Sequence, residues 1–247
     1  MKQLIKIIVI AIVLITLWQV VISIFAIPRY ILAAPADVAK TLIERWDVLL
    51  KHAKVTLLEI LLGLFFGFSL GVLSAITLAM SRTMSSFLMP LLVLSQAIPV
   101  FAIAPLLVLW LGYGMASKVV MAVLIIYFPV TAACYDGLRN TPLQWLQLAQ
   151  SMRASKTTLL FKIRLPAALP SLASGLRIAV TFAPIGAIVG EWVGSAEGLG
   201  YLMLQANARM QVDTTFAALL VLIIMSLTLF FSVDALLKKY IPWQSKL

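Results

Sequence analysis

Residues 83–117 form a stretch of 35 residues without a charged side chain. One straight helix of that length would reach about 50 Å, well beyond the roughly 30 Å hydrocarbon core of a bilayer. Three prolines and a Gly-Tyr-Gly turn at 112–114 divide the stretch. We therefore expect a membrane span at about 87–110, in which Pro99 and Pro105 free backbone carbonyls that only protein or a water-filled path can cover.

The rest of the chain has the same membrane character. Hydrophobic residues make up 63% of the 247 residues and charged residues 11%, whereas soluble proteins have about 45–50% and 25%. The length suits five to seven spans of about 20 residues. The charge-free run 7–28 is longer than a signal-peptide core, which favours an uncleaved first span over a cleaved signal. We treat residues 1–247 as a single all-α, polytopic membrane domain with six spans, at about 5–26, 56–80, 87–110, 117–136, 171–192 and 214–236.

Between the first two spans, residues 37–53 follow a helical period with apolar side chains on one face and charged ones on the other. This pattern predicts an amphipathic helix at the membrane interface, too charged to span. His52, which stands between Lys51 and Lys54 in this neighbourhood, is interpreted as a solvated histidine rather than a ligand.

The distribution of basic residues predicts the topology. Six spans place both termini on one side, where we count twelve basic residues against seven on the other. Since Lys and Arg are enriched in cytoplasmic loops, both termini and the loop at 137–170 are expected in the cytoplasm. The twelve are Lys2, Lys6, Arg82, Arg139, Arg153, Lys156, Lys162, Arg164, Arg177, Lys238, Lys239 and Lys246.

The sequence lacks the motifs that several kinds of binding and catalytic site require. No Gly-x4-Gly-Lys-Ser/Thr segment could cradle a nucleotide phosphate. One histidine and one cysteine, far apart, make no zinc site. The net charge of +10 is interpreted as topology and not as nucleic-acid binding, because no soluble basic face exists. We expect no enzymatic activity, no bound metal and no cofactor in this chain.

The second span carries glycine at every fourth position, at Gly63, Gly67 and Gly71. Such a stripe lets two helix backbones approach closely, although glycine is also common in membrane helices. The spacing favours helix packing without indicating the partner helix.

The sequence of the loop at 137–170 predicts two short helices, at 142–152 and 156–164. Thr141 and Ser155 are the expected caps, with Arg153-Ala154-Ser155 as the turn between the helices. Leu165-Pro166 is expected to end the second helix, and Pro170 to open the fifth span. Two short helices joined by a tight turn would form a rigid projection with small residues at its surface, which favours a docking site for a partner protein. The alternative interpretation is an ordinary basic loop.

This loop resembles the EAA loop of ABC importer permeases. The family pattern, Glu-x-Ala-x-x-x-Gly-Ala-Ser followed by Ile-x-Leu-Pro-x-x-x-Pro, is matched at Ala149, Ala154, Ser155, Ile163, Leu165, Pro166 and Pro170. The chain departs from it at Gln147, where the family has glutamate, and at Arg153, where it has glycine. Because glycine takes positive φ at little cost, the turn here is either right-handed or strained.

The resemblance covers nearly the whole chain, with about 56–240 as its core, and implies a type I ABC importer transmembrane domain of the nitrate/sulfonate/taurine-type subgroup. It implies a homodimer in a bacterial inner membrane, with ABC ATPase subunits that bind the ATP and an extracytoplasmic substrate-binding protein. The segments 183–187 and 190–203 resemble permeases for hydroxymethylpyrimidine, a thiamine precursor. Sulfonate or taurine, nitrate and riboflavin-like substrates remain alternatives, and a motor-free channel or scaffold is a remote one.

Four residues are candidates for the substrate path. Gln96, Pro99 and Pro184 are assigned to mid-helix depth in the third and fifth spans, where freed carbonyls need polar surroundings. Glu191 stands at the end of the fifth span, where it would attract a cationic or hydrogen-bond-donating ring. The alternative for Glu191 is an interfacial carboxylate that reaches the outer surface.

Overall fold

The structure is a computed structural model that describes residues 2–243 and, within them, every side chain except those of residues 2–5, 7, 8 and 82. Three of the basic residues counted for the topology lie wholly or partly outside this description: Lys246, the side chain of Lys2 and the side chain of Arg82. The described chain consists of helices and has no strand, which confirms the all-α expectation. The helices are α1 (Lys2–Phe25), α2 (Pro35–Glu44), α3 (Trp46–Met80), α4 (Arg82–Ala97), α5 (Val100–Leu111), α6 (Met115–Arg139), α7 (Leu143–Ser151), α8 (Lys156–Leu159), a π-helical segment (Leu160–Arg164), α9 (Leu165–Gly194), α10 (Leu199–Ala208) and α11 (Val212–Tyr240).

Four helices of the described chain are individually long and apolar enough to cross a membrane: α3, α6, the continuous helix Lys156–Gly194 and α11. The bent pair α4 and α5 adds a fifth when counted as one span. α1 contributes the shorter apolar helix Val9–Phe25. All six expected spans fall on apolar helices, but only four or five meet the length of a full span.

The third expected span is broken and not straight. α4 ends at Ala97, α5 begins at Val100, and their axes differ by 97°. Ile98 is extended (φ −88°, ψ 115°) because a following proline disfavours the helical region. Pro99 then stands at the N-cap of α5. Pro99 therefore lies at the break between two helices, which corrects its assignment to mid-helix depth.

The second helix of the polar loop runs on into the fifth span. The expected stop at Leu165-Pro166 and restart at Pro170 are wrong, because the helix is continuous over Lys156–Gly194. In the π-helical segment the Leu165 N–H donates to the Leu160 carbonyl, five residues back. This wider turn precedes Pro166, which stands in the first turn of α9, where a missing N–H is tolerated.

The amphipathic helix expected at 37–53 is also divided differently. α2 ends at Glu44, and α3 begins at Trp46 and continues to Met80. The second span therefore belongs to a helix that starts ten residues before the expected position 56. Arg45, the C-cap of α2, is the break, and its N–H donates to the Thr41 carbonyl.

The chain forms two compact units, one of Met1–Thr56 with Ala196–Ile224 and one of Leu57–Ser195 with Met225–Leu247. In the larger unit the core lies along α6 and α9. A Cβ built on Gly186 would lie 2.7 Å from the Ala122 Cα atom, and one on Gly175 would lie 2.5 Å from the Ala133 Cβ atom. These glycines let the two helix backbones approach closely in the centre of the unit.

The glycine stripe of α3 faces α6. Cβ atoms built on Gly63, Gly67 and Gly71 would lie 2.5 to 2.8 Å from side-chain carbons of α6. The contacted residues lie one helical turn apart, at Ala122, Ile126 and Val130. The structure thus names the partner helix that the sequence left open.

In the smaller unit a histidine anchors a turn. The His52 side chain is 9% exposed, and its Nδ1 atom accepts a hydrogen bond from the Gly198 N–H at 2.9 Å. One helical turn along, the Thr56 hydroxyl accepts from the Leu199 N–H at 2.8 Å. The interpretation of His52 as solvated is therefore wrong, because its ring holds the N-terminal end of α10.

Candidate coupling surface and buried charge cluster

The turn after α7 has the backbone geometry that a glycine would favour. The Ala154 N–H donates to the Ala149 carbonyl at 3.0 Å, so the chain folds back over the end of α7. This geometry holds Arg153 at φ 52°. A non-glycine residue in the left-handed region costs about 1–2 kcal/mol. Of the two alternatives, right-handed or strained, the structure therefore has the strained one, with Arg153 exposed at the turn.

The two expected caps have different outcomes. The Ser155 hydroxyl accepts from the Thr158 N–H at 3.1 Å and caps α8, as the sequence predicts. Thr141 is no cap, since Pro142 occupies the N-cap position of α7. The Thr141 hydroxyl instead donates to the Leu138 carbonyl at 3.1 Å and closes the end of α6.

A groove of about 1000 Å³ follows the helix pair. Ala149 and Ala154 line it together with Pro166, three residues of the EAA-like pattern. Its rim carries large apolar side chains that face solvent, among them Leu148, 64% exposed, and Met152, 75% exposed. Gln147 is exposed beside it and Leu165 is half-buried. Exposed apolar patches of this kind mark partner sites.

A charge cluster that the sequence interpretation missed lies inside the larger unit. The Lys118 Nζ atom is 2.7 Å from the Glu59 Oε1 atom, and the Glu191 carboxyl interacts with Glu59. The residues Lys118, Glu59 and Glu191 are 5%, 0% and 1% exposed, respectively. Buried charges require partners, and here α3, α6 and α9 each supply one residue. The available signal was a carboxylate at position 59, inside an apolar helix.

The four path candidates do not converge in the single chain. Pro184 is buried within α9, and Glu191 lies in the charge cluster and not at the surface. Gln96 and Pro99 are exposed at the break between α4 and α5. A cavity of about 340 Å³ lies beside that break, and none of the four candidates lines it.

Comparisons with known proteins agree with this architecture. A family model described as the binding-protein-dependent transport system inner membrane component matches residues 67–246. A probable ABC transporter permease protein of Haemophilus influenzae is 63% identical over 229 residues, covering 93% of this chain and 94% of the relative. The formylaminopyrimidine transport permease protein ThiX of Halalkalibacterium halodurans is 36% identical, covering 94% and 93%. The taurine transport system permease protein TauC of Escherichia coli is 28% identical, covering 95% and 88%.

Among solved structures, the MetNI methionine ABC transporter in an inward-facing conformation contains a chain of the same fold. Its TM-score is 0.67 at 20% identity, and the match covers 79% of this chain and 97% of that one. The expected type I importer architecture and subgroup are confirmed. The chain belongs to the binding-protein-dependent transport system inner membrane component family and is a multi-pass, non-enzymatic permease of an ABC importer.

Proposed function

We propose that the chain works as a homodimer that imports a pyrimidine thiamine precursor of the hydroxymethylpyrimidine kind, driven by ATPase subunits that dock on the helix pair 143–164. An extracytoplasmic substrate-binding protein delivers the substrate. The observation that carries the proposal is the apolar groove beside Ala149 and Ala154, which lies on the polar loop between the fourth and fifth expected spans.

The shape of the helix pair supports docking. Two short helices, fixed by the Ser155 cap and by the hydrogen bond from Ala154 to Ala149, form a rigid projection. Since α8 continues into α9 without a stop, a force applied at the projection acts directly on a membrane-spanning helix. That continuity provides a mechanical link between nucleotide-driven motion and the spans.

The broken span supports a dimer with a central path. Ile98 and Pro99 have non-helical backbone and are exposed in the single chain, within a segment that is otherwise apolar. Such backbone is tolerated at membrane depth only where protein or a water-filled cavity covers it. A second copy that faces the break across an aqueous path meets this requirement, and it places the exposed Gln96 beside the substrate.

The substrate class rests on likeness and on residue type. The relative named for formylaminopyrimidine transport is 36% identical, and the one named for taurine transport is 28% identical. Gln96 offers both a donor and acceptors, which suits the edge of a pyrimidine. Sulfonate or taurine, nitrate and riboflavin-like compounds are the competing substrates. Competition against uptake of labelled hydroxymethylpyrimidine, in cells that express the complete transporter, separates them.

The docking proposal is tested by Ala154→Glu. Ala154 lines the groove, so a glutamate there forces an unpaired charge into an apolar contact, which costs several kcal/mol. We expect the ATPase to be lost when the tagged permease is purified, while the permease itself remains folded. The control is Thr83→Glu, which adds the same charge at an exposed position outside both the helix pair and the groove. Co-purification of the ATPase at the wild-type level with Ala154→Glu contradicts the proposal.

A further inference from the structure

A second cavity, of about 530 Å³, lies in the larger unit, and its chemistry differs from that of the docking groove. It sits where α3 ends, α4 begins and α6 ends, beside the π-helical segment. Its polar lining consists of two guanidinium groups and three hydroxyl groups, from Arg139, Arg164, Ser85, Ser86 and Tyr135. No carboxylate is among its lining residues.

Both arginines lack a counterion among the described residues. The ion pairs of this part of the chain involve neither Arg139 nor Arg164. The Arg164 Nε atom is buried and has no hydrogen-bond partner in the described structure. Asp136, one turn before Arg139, is exposed and lies outside the cavity lining. A buried, unpartnered N–H on a cation is costly unless an acceptor occupies the cavity.

The hydroxyl groups favour an oxyanion as that acceptor. The Ser85 and Tyr135 hydroxyls are 2.7 Å apart and share one hydrogen bond, so one O–H of the pair remains available to donate. Guanidinium groups bind phosphate oxygens with two parallel hydrogen bonds. The volume lies within the range of small-molecule sites, about 300–1,000 Å³, which leaves room beyond a single phosphate.

We propose that this cavity binds a phosphate group, through Arg139, Arg164 and the Ser85–Tyr135 hydroxyl pair. Leu78 and Ala79 form an apolar wall at the end of α3, which places the site at the edge of the apolar layer. Basic pockets between membrane helices at this depth accept anionic lipid headgroups. The phosphate therefore comes from an anionic phospholipid or, as the second source, from a soluble phosphate.

The test compares two double variants of the full-length chain in detergent. R139Q/R164Q removes both cavity cations, whereas K156Q/K239Q removes two exposed charges outside the cavity lining. Binding of phosphatidylglycerol and of phosphatidylcholine is measured by native mass spectrometry. Thermal unfolding is followed with and without inorganic phosphate.

We expect phosphatidylglycerol affinity to fall about tenfold or more in R139Q/R164Q, since charge-assisted hydrogen bonds are lost, and by less than about twofold in K156Q/K239Q. A second outcome is that the wild-type Tm rises with inorganic phosphate while phosphatidylglycerol binding does not depend on the arginines. If R139Q/R164Q abolishes that rise, the phosphate site is supported and its ligand is a soluble phosphate. The proposal is overturned if both double variants lose the same phosphatidylglycerol affinity. It is also overturned if neither lipid binding nor the Tm rise with phosphate changes in R139Q/R164Q. If R139Q/R164Q does not fold, the single variant R139Q at the exposed arginine gives the same readout.

Discussion

At the scale of single residues, the buried charges are the least ordinary feature of this permease. Glu59, Lys118 and Glu191 are sealed inside packed helices, where an unpaired charge would cost several kcal/mol. Gly190 makes room for Lys118, since a Cβ atom at Gly190 would lie 3.0 Å from the Lys118 Cα atom. The cluster therefore depends on one small residue as well as on three charged ones.

Replacing Lys118 by methionine keeps the length of the side chain and removes the cation that is paired with the buried Glu59 carboxyl group. We expect Lys118→Met to lower the free energy of unfolding by about 3–5 kcal/mol, visible as a lower Tm in detergent. The double variant Lys118→Met/Glu59→Gln should recover most of the loss, because it also removes the orphaned charge. An unchanged Tm for Lys118→Met would show that the ion pair contributes nothing to stability.

Replacing Glu191 by glutamine tests its role in substrate passage. The size is kept and the Lys118–Glu59 pair remains, so we expect a Tm close to that of the wild type. If the transport cycle uncovers this buried carboxyl group to the substrate, uptake of hydroxymethylpyrimidine should fall about tenfold, as expected for a lost charge-assisted hydrogen bond, while ATPase co-purification stays normal. Glu197→Gln, at an exposed carboxylate paired with Lys51, is the control and should leave uptake unchanged. Wild-type uptake by Glu191→Gln would limit the residue to a structural role.

At the scale of elements, close helix contact and one sharp break organise the larger unit. Glycines on α3 and α9 bring both helices against α6, so small residues set the interhelical distances. The break at Ile98-Pro99 has a different cause, the restriction that a proline places on the residue before it. At Pro166 the helix does not break, because the π-helical segment before it lets the helix continue through the proline.

Gly63→Ala measures how tightly α3 packs on α6. The added methyl would lie 2.5 Å from the Ala122 Cβ atom, which is fixed to the backbone and cannot rotate away. We expect a loss of about 1–3 kcal/mol of stability, from overpacking, measured by thermal or denaturant unfolding in detergent. Gly114→Ala, where the new methyl meets nothing within 4 Å, should cost less than about 1 kcal/mol from its weaker helix cap. Equal costs at the two sites would mean that the α3–α6 contact is looser than this geometry.

At the scale of the whole molecule, topology follows from where the basic residues stand. If all six apolar helical segments cross the membrane, we expect both termini on one side, together with the coupling helix pair and most of the lysines and arginines. The positive-inside rule assigns this side to the cytoplasm, where the ATPase resides. ATPase docking on the helix pair therefore requires the same topology that the basic residues predict.

Single cysteines introduced in a Cys134→Ala background test that expectation. A membrane-impermeant maleimide added outside should label Gln205→Cys, in α10, which the six-span topology assigns to the outer side, and not Thr157→Cys, at the start of α8. Permeabilised membranes give the control, in which Thr157→Cys becomes reactive because its side chain is exposed. The reversed pattern would place the helix pair outside and exclude ATPase docking there.

The sequence by itself determined the membrane class, the order of the helices, the turn at Arg153 and the cap at Ser155. Each of these depends on residues within one helical turn or one apolar run, so hydropathy and capping chemistry are sufficient. It predicted the ends of the loop helix wrongly, because Pro166 stands in the first turn of α9, where a missing N–H is tolerated, and Pro170 lies within the same continuous helix.

Only the tertiary structure decided which helices meet and which polar groups share a buried site. Glu59, Lys118 and Glu191 are separated by 59 and then by 73 positions, so no local pattern links them. The same holds for His52 and Gly198, and for the cavity between Arg139 and Arg164. A buried charge is stable only when packing delivers its partner, and packing depends on contacts between distant segments that a local pattern does not encode.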